Sequence, residues 1–368
     1  MRRTASTAAA IGMLATLAGG GTSSASTSRQ LQAGAATATR FQACMVTNIG
    51  GINDRSYNQL TWMGMQAAQA REPRRIVTRY LPAVDQADYS KDIAVFVREK
   101  CGIIVTVGLL MGRATESAAE AHPRRHFAIV DCTYRSGCLA GREVRNLRRI
   151  AFNTVQDAFL GGYLAAGMSK THVVATYGGV QVGAVTIYLD GFWDGVQYYN
   201  SLHHTRIKVL GWNEQTQTGI FINSFTNIAA ARRLTTTFIN QGADVIFPVA
   251  GGSGLGTAAA VRTADASGKR IAMEWPDTDG CFNVTQYCRY FLSSVTKGIA
   301  EAVKTVVLAA ARGKFRPNYI GTLANAGVAL VPNHHFFTSV PAQLRAELSK
   351  VEHKIENGTL IPATRSPV

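Results

Sequence analysis

The sequence predicts an α/β fold of two lobes, each a parallel sheet covered by helices, that face one another across a cleft. Three observations carry this expectation. Apolar, β-branched runs alternate with helical stretches through short loops, the pattern of parallel strands joined by crossover helices. The alternation resets once, around Ile150 to Asn153, so that two units of similar size follow one another. Strand ends in both units carry glycine turns, the positions at which open α/β sheets present ligands. A chain of 368 residues is also long enough for two lobes.

The first 26 residues read as an export signal: a basic start at Arg2 and Arg3, a short apolar core over 8–18, then small residues with a cleavage site near Ala25. Positions 27–40 read as a flexible Gly/Ser/Thr/Ala-rich linker. No Cys ends the apolar core, so no lipid-attachment site is expected; the first Cys is Cys44. No apolar run reaches the 18 residues that would suggest a membrane span.

The first lobe is expected over 41–150. A strand over 43–46 leads into Gly50-Gly51-Ile52-Asn53-Asp54-Arg55-Ser56-Tyr57-Asn58, which crowds donors and acceptors into one turn ahead of a helix over 60–70. Asp54 or Ser56 could cap that helix, or the turn could hold a ligand. Strands are expected over 76–80, 103–107 and 127–130, and helices over 88–99 and 112–121. The second lobe is expected over 151–280, with helices over 157–168, 185–199, 228–241 and 255–267 and strands over 173–177, 207–212, 244–249 and 270–274. A long helix over 295–312 follows, then extended segments over 319–331 and a polar helix over 341–357. Part of about 281–318 should complete the first lobe, part of about 319–340 the second, with a C-terminal helix and tail over 341–368.

The six cysteines suit an exported protein. Cys132 with Cys138, and Cys281 with Cys288, could each close a small loop, while Cys44 and Cys101 start strands that could be neighbours. This is one pairing of the fifteen that six cysteines allow. The spacings do not match zinc patterns, and no metal or cofactor is expected. The formal charge is +15, or about +13 without Arg2 and Arg3. The basic residues are dispersed and no nucleic-acid motif occurs, so an anionic envelope surface is a better partner than nucleic acid.

Several blocks resemble one family. Residues 50–59 are similar to the GGIDDKSFNQ signature of the basic membrane protein family, substrate-binding proteins of ABC importers related to purine-nucleoside receptors. FNTVQDAFLGGYLAAGM (152–168) resembles that family's helix entering the second lobe, 178–195 its GGxxIPxVxRFxxGF block, and GADVIFPVAGGSG (242–254) a further segment. Pro276-Asp277-Thr278-Asp279 and Leu292-Ser293-Ser294-Val295-Thr296-Lys297 resemble its VDxD and LTSVxK blocks. The match covers about 41–362.

The resemblance implies a type I periplasmic-binding fold with a hinge, a purine nucleoside closed between the lobes, and a permease partner. It implies a monomer at the extracytoplasmic face of the membrane, peripherally associated. Tyr57 and Tyr188 would stack on the two faces of the base. Asp277 and Lys297 would bind the ribose hydroxyls. Asn53, Asp54, Asn58 and Asp131 would address base edges, and Gly251 and Gly252 would bring backbone N–H groups close. The sequence departs from the family at Val182-Gly183 in place of the IP dipeptide, at Ile187 in place of an Arg, and at Trp275 and Pro276, which read as extra residues after the strand.

Other readings stay open from the residues alone. A nucleoside-processing enzyme lacks support, because there is no acidic N-terminal metal cluster, P-loop or G-x-S-x-G elbow. The pairs His203-His204 and His334-His335 read as loop residues. An envelope sensor on the same fold would bind in the same way.

Overall fold

The computed structural model describes residues 40–133, 138–140, 143–315, 318–333 and 339–366. These described residues form one compact unit. The first lobe starts with β1 (Phe41–Val46), α1 (Tyr57–Arg71), β2 (Ile76–Leu81), α2 (Asp88–Arg98), β3 (Ile103–Val107), α3 (Gly112–Ala121), β4 (His126–Val130) and β5 (Leu147–Phe152). The second contains α4 (Val155–Met168), β6 (Val173–Gly178), α5 (Gly183–His203), β7 (Lys208–Leu210), a small hairpin β8 (Trp212–Asn213) and β9 (Thr218–Gly219), α6 (Ile228–Asn240), β10 (Val245–Val249), α7 (Gly254–Ala266), β11 (Ala272–Asp277), α8 (Gly280–Asn283) and β12 (Phe291–Lys297). Then come α9 (Ile299–Ala311), β13 (Asn318–Gly321), β14 (Val328–Pro332) and α10 (Ala342–Glu356).

The first sheet has strand order β13-β5-β4-β3-β1-β2 and the second β14-β12-β11-β10-β6-β7. All paired strands run parallel except β12 with β14 in the second sheet and the β8–β9 hairpin. The β-branched runs suit strands buried on both faces. Met45, Ile103 and Val105 pack on one face with Met65 of α1 and Val303 of α9. Cys44, Val46 and Ile104 face the other way, against Ile93 and Phe96 of α2. The same α/β/α layering recurs in the second lobe. There α4 and α5 approach so closely that a Cβ at Gly162 would lie 2.0 Å from the Phe192 carbonyl oxygen.

The chain crosses between lobes three times: after β5, between β12 and α9, and between β13 and β14. Cross-links hold these crossings together, including Asn153 N–H to Gly321 O at 2.8 Å and Gly298 N–H to Gly327 O at 2.8 Å. Three crossings fastened side by side form a hinge.

Several boundaries differ from expectation. The segment 295–297 is not the start of a helix. β12 lies between β11 and β14, so Val295 is buried in a sheet interior, and the helix begins only after Gly298. The apolar residues on both sides of Gly298 blend into one helical periodicity, which hides the break. β12 thus belongs to the second lobe, and β13 returns to the first. Trp275 and Pro276 are not extra residues after a strand: β11 runs through them to Asp277, in register with Ser294, Val295 and Thr296 of β12. The strand expected over 207–212 is broken at Gly211, whose φ of 86° ends β7 and starts the hairpin. His203 closes α5 rather than lying in a loop, and its Nε2 is 3.0 Å from Glu347 of α10. His334 and His335 lie outside the described residues.

The disulfides are Cys44–Cys101, Cys132–Cys138 and Cys281–Cys288. The first ties the start of β3 to its neighbour β1; the other two close loops beside the cleft.

Candidate functional site

A cavity of about 620 Å³ opens between the C-terminal ends of the two sheets. Asn48, Gly108 and Asp131 line it from the ends of β1, β3 and β4, and Ala250, Gly251 and Asp277 from the ends of β10 and β11. Its walls are largely apolar: Ile49 and Leu110 in the first lobe, Val182, Ile228 and Leu255 in the second.

The turn after β1 is built by its own side chains. Gly50 takes φ 112°, a conformation that suits glycine. Asp54 accepts from the N–H groups of Ser56, Asn58 and Gln59 at 2.9–3.0 Å, so it caps α1. Burial nonetheless pushes its carboxyl above the ordinary value. Asn58 is buried, and its amide binds the main chain of Asn48 in both directions, at 2.8 and 3.2 Å. These two residues line the cavity but shape the turn rather than offer free groups. Asn53 is exposed at the cavity edge.

Below the turn lies a buried charge cluster that joins the lobes. The Lys297 ammonium sits 2.8 Å from Asp131 and 3.6 Å from Asp277, and the three side chains are nearly inaccessible to solvent. It also donates to the Tyr57 hydroxyl, which itself donates to Asp131 at 2.6 Å. Tyr188 donates to Asp277 Oδ1 at 2.8 Å, and Ser56 to Asp277 Oδ2 at 2.9 Å. Ser56, Tyr57 and Asp131 come from the first lobe, Tyr188, Asp277 and Lys297 from the second, so the cluster bridges the cleft. Burial, reinforced by the carboxylates, pushes both tyrosine hydroxyls well above their ordinary pKa, so they remain donors.

Asp131 and Asp277 both have left-handed backbones, φ 58° and 67°. Such strain in a non-glycine residue collects at functional sites, where the surroundings enforce it. Here each strained residue ends a central strand and aims its carboxylate at one ammonium.

The two tyrosine rings do not face one another across an open slot. Lys297 Nζ lies 4.8 Å from the Tyr57 ring centre and 4.7 Å from that of Tyr188. Tyr188 is 1 % exposed and its ring meets Phe247 edge-on. The second-lobe aromatic turned to the cavity is Phe225, 38 % exposed and packed beside Gly251. Gly251 and Gly252 line the cavity in the tight turn ahead of α7, in which Ser253 N–H bonds back to Ala250 O at 3.2 Å.

Ser56 and Phe225 escaped the sequence reading. Ser56 lies inside the motif but looks like a helix cap; Phe225 stands in a segment without periodicity. Two further buried acids lie behind the site. Both Asp157 carboxylate oxygens lack a hydrogen-bond partner, and burial pushes its pKa well up. Glu274 accepts from Ser293 at 2.8 Å through one oxygen only, and burial raises it to about 7. A lone acid in the apolar helix over 152–168 was the available signal for Asp157.

The chain is similar to known proteins in both sequence and fold. Residues 41–362 match the family model of ABC transporter substrate-binding proteins, PnrA-like. A CD4+ T-cell-stimulating antigen of Listeria innocua is 30 % identical over 219 residues, covering 59 % of this chain and 56 % of that one. The chain therefore spans little more than half the length of that relative. The ABC transporter nucleoside-binding protein BmpA of Lactococcus lactis is 26 % identical over 307 residues, 79 % of this chain and 82 % of BmpA. Among solved structures, a solute-binding protein of an Aeropyrum pernix ABC transporter system superposes with TM-score 0.76 at 17 % identity, over 88 % of this chain and 94 % of that one. A periplasmic solute-binding protein from Actinobacillus succinogenes with bound D-allose gives 0.59 at 13 % identity, over 81 % and 99 %. The last two likenesses concern the fold alone: the two α/β lobes are those of ABC-transporter solute-binding proteins. By the family match across both lobes, the chain belongs to the PnrA-like substrate-binding proteins of ABC transporters.

Proposed function

We propose that the chain captures a nucleoside, of the purine class, between its lobes at the extracytoplasmic face of the membrane and hands it to an ABC importer permease without chemical change. The observation that carries this reading is the pairing of an apolar cleft with a buried carboxylate–ammonium cluster at its base. A nucleoside has the matching polarity: a flat base for apolar and aromatic walls, and a ribose diol for charged partners.

Asp277 already accepts two hydroxyl hydrogen bonds, from Tyr188 and Ser56. A vicinal diol can take the place of Ser56 on that carboxylate when the lobes part and reclose. Tyr57 and Phe225 then offer ring surface to the base, and Asn53 an amide to its edge. The relative named nucleoside-binding, BmpA, is consistent with this class. Lobe closure about the three crossings commits the ligand and forms the shape that a permease recognises.

A thermal-shift panel of purine and pyrimidine nucleosides, hexoses and amino acids tests the class. Stabilisation by purine nucleosides and not by hexoses is expected. Stabilisation by hexoses alone overturns the proposal.

A further inference from the structure

We propose that the pole of the first lobe farthest from the cleft is a cationic docking surface for a bilayer of anionic phospholipid. Strands β1–β5 and β13 are parallel, so their N-terminal ends lie together. Their C-terminal ends present Asn48, Gly108 and Asp131 to the cleft, which puts this pole at the opposite end of the lobe. Two contacts tie its turns together. Arg312, after α9, pairs with Glu72, after α1, and Phe315 stacks on His126 at 4.3 Å.

Every connection that reaches this pole is basic. The turn from α1 to β2 carries Arg71, Arg74 and Arg75, and that from α2 to β3 carries Arg98 and Lys100. The turn from α3 to β4 adds Arg124 and Arg125, and Arg145 precedes β5. Arg312 and Lys314 lie between α9 and β13, and Arg40 enters β1. Acids at the same end are fewer, and two are occupied: Glu72 by Arg75 and Arg312, Glu99 by Arg79. Arg74, Lys100, Arg124 and Lys314 are exposed and form no ion pair among the described residues.

Basic residues at helix C-termini also complement the helix dipole, and that accounts for part of the pattern. It does not account for the asymmetry between lobes. Some helices in each lobe end without a basic residue, α3 and α9 in the first and α4, α6 and α7 in the second, so the difference lies in the connecting turns. At the corresponding end of the second lobe these carry Lys170, Arg206, Lys208, Lys269, Arg270 and Arg289, about half as many as the first-lobe pole, and the turn from α6 to β10 carries none. The first-lobe charges are spread over several turns rather than converging on one point. That arrangement suits a plane of negative charge better than a single phosphate. Resting on this pole keeps the protein near the membrane while the cleft stays open for capture.

The test is sedimentation of the chain from Arg40 onward with vesicles of phosphatidylcholine, with and without phosphatidylglycerol, near physiological salt. Binding only to the anionic vesicles is expected. The triple variant Arg74→Ser, Arg124→Ser, Lys314→Ser should lower partition about a hundredfold, roughly fivefold per charge at about 1 kcal/mol each. A second triple, Lys170→Ser, Lys269→Ser, Arg270→Ser, removes the same charge from exposed sites of the second lobe. It should stay within about threefold of the parent, because charges beyond a Debye length are screened. Both triples should melt with the parent. No binding to anionic vesicles, or an equal loss in the two triples, overturns the proposal.

Discussion

Replacing Lys297 by Met takes one buried ammonium out of a cluster that holds two carboxylates. At an effective dielectric of about 20 its attractions to Asp131 and Asp277, at 2.8 and 3.6 Å, are worth roughly 6 and 5 kcal/mol gross. Most of that offsets the desolvation of the three ions. What remains after the cation is removed is two buried carboxylates without their partner, and such truncations cost about 3–5 kcal/mol. This is a large part of the roughly 5–15 kcal/mol that holds a domain folded. Urea midpoints at pH 7.5 should therefore fall well below the parent's, and adding Asp131→Asn and Asp277→Asn should restore much of the loss, because no buried carboxylate is then left without its partner. A variant as stable as the parent, or a loss that the two further substitutions do not relieve, refutes the account of the cluster.

Three further outcomes follow from the same structure. Tyr57→Ala should weaken nucleoside binding by about 1–3 kcal/mol if the ring stacks on the base, whereas Tyr57→Phe should keep most of that; equal losses in calorimetry would assign the effect to the hydroxyl on Asp131. Glu274 is raised from 4.5 to about 7. The unfolded chain thus ionises first and roughly 3 kcal/mol of stability is lost between pH 4.5 and 7. Glu274→Gln should flatten that slope in urea unfolding, and an unchanged slope contradicts the assignment. Removing Cys44–Cys101, which spans 57 residues, should cost about 4 kcal/mol, against about 2 for Cys281–Cys288, which spans 7. The reverse order of urea midpoints would show that native packing, not chain entropy, dominates.

The fold was legible because strand and helix periods differ and because glycines mark the strand ends. Ile103–Val107 and Val245–Val249 could hardly be misread: short, β-branched and bounded by turns. The errors cluster where a strand meets a helix of similar composition, as at Val295 and Ile299 on either side of Gly298. Periodicity cannot place such a boundary; the antiparallel partner β14 does, and it is remote in sequence. Most of the cleft's polar residues lay in motifs that could be quoted from the chain, whereas Asn48, Gln86, Asp131, Ser224 and Thr226 did not. Their roles were less legible. Capping by Asp54 was one of two readings open for its turn and the hydrogen bonds decide for it, whereas the bonds of Asn58 to the main chain of Asn48 only coordinates reveal. Lys297 was expected to meet a sugar, yet it lies against both tyrosine rings and bridges the lobes. Sequence adjacency says which residues reach a strand end, not which of them satisfy each other once there.

Calorimetry with inosine and 2′-deoxyinosine, on the parent and on Asp277→Asn, tests the central claim most directly. If the buried carboxylate of Asp277 holds a ribose diol, the parent binds inosine and loses about tenfold or more when one hydroxyl is missing. Asp277→Asn then binds both weakly and without that preference. Equal affinity of the parent for the two ligands, or an undiminished preference in Asp277→Asn, contradicts the claim.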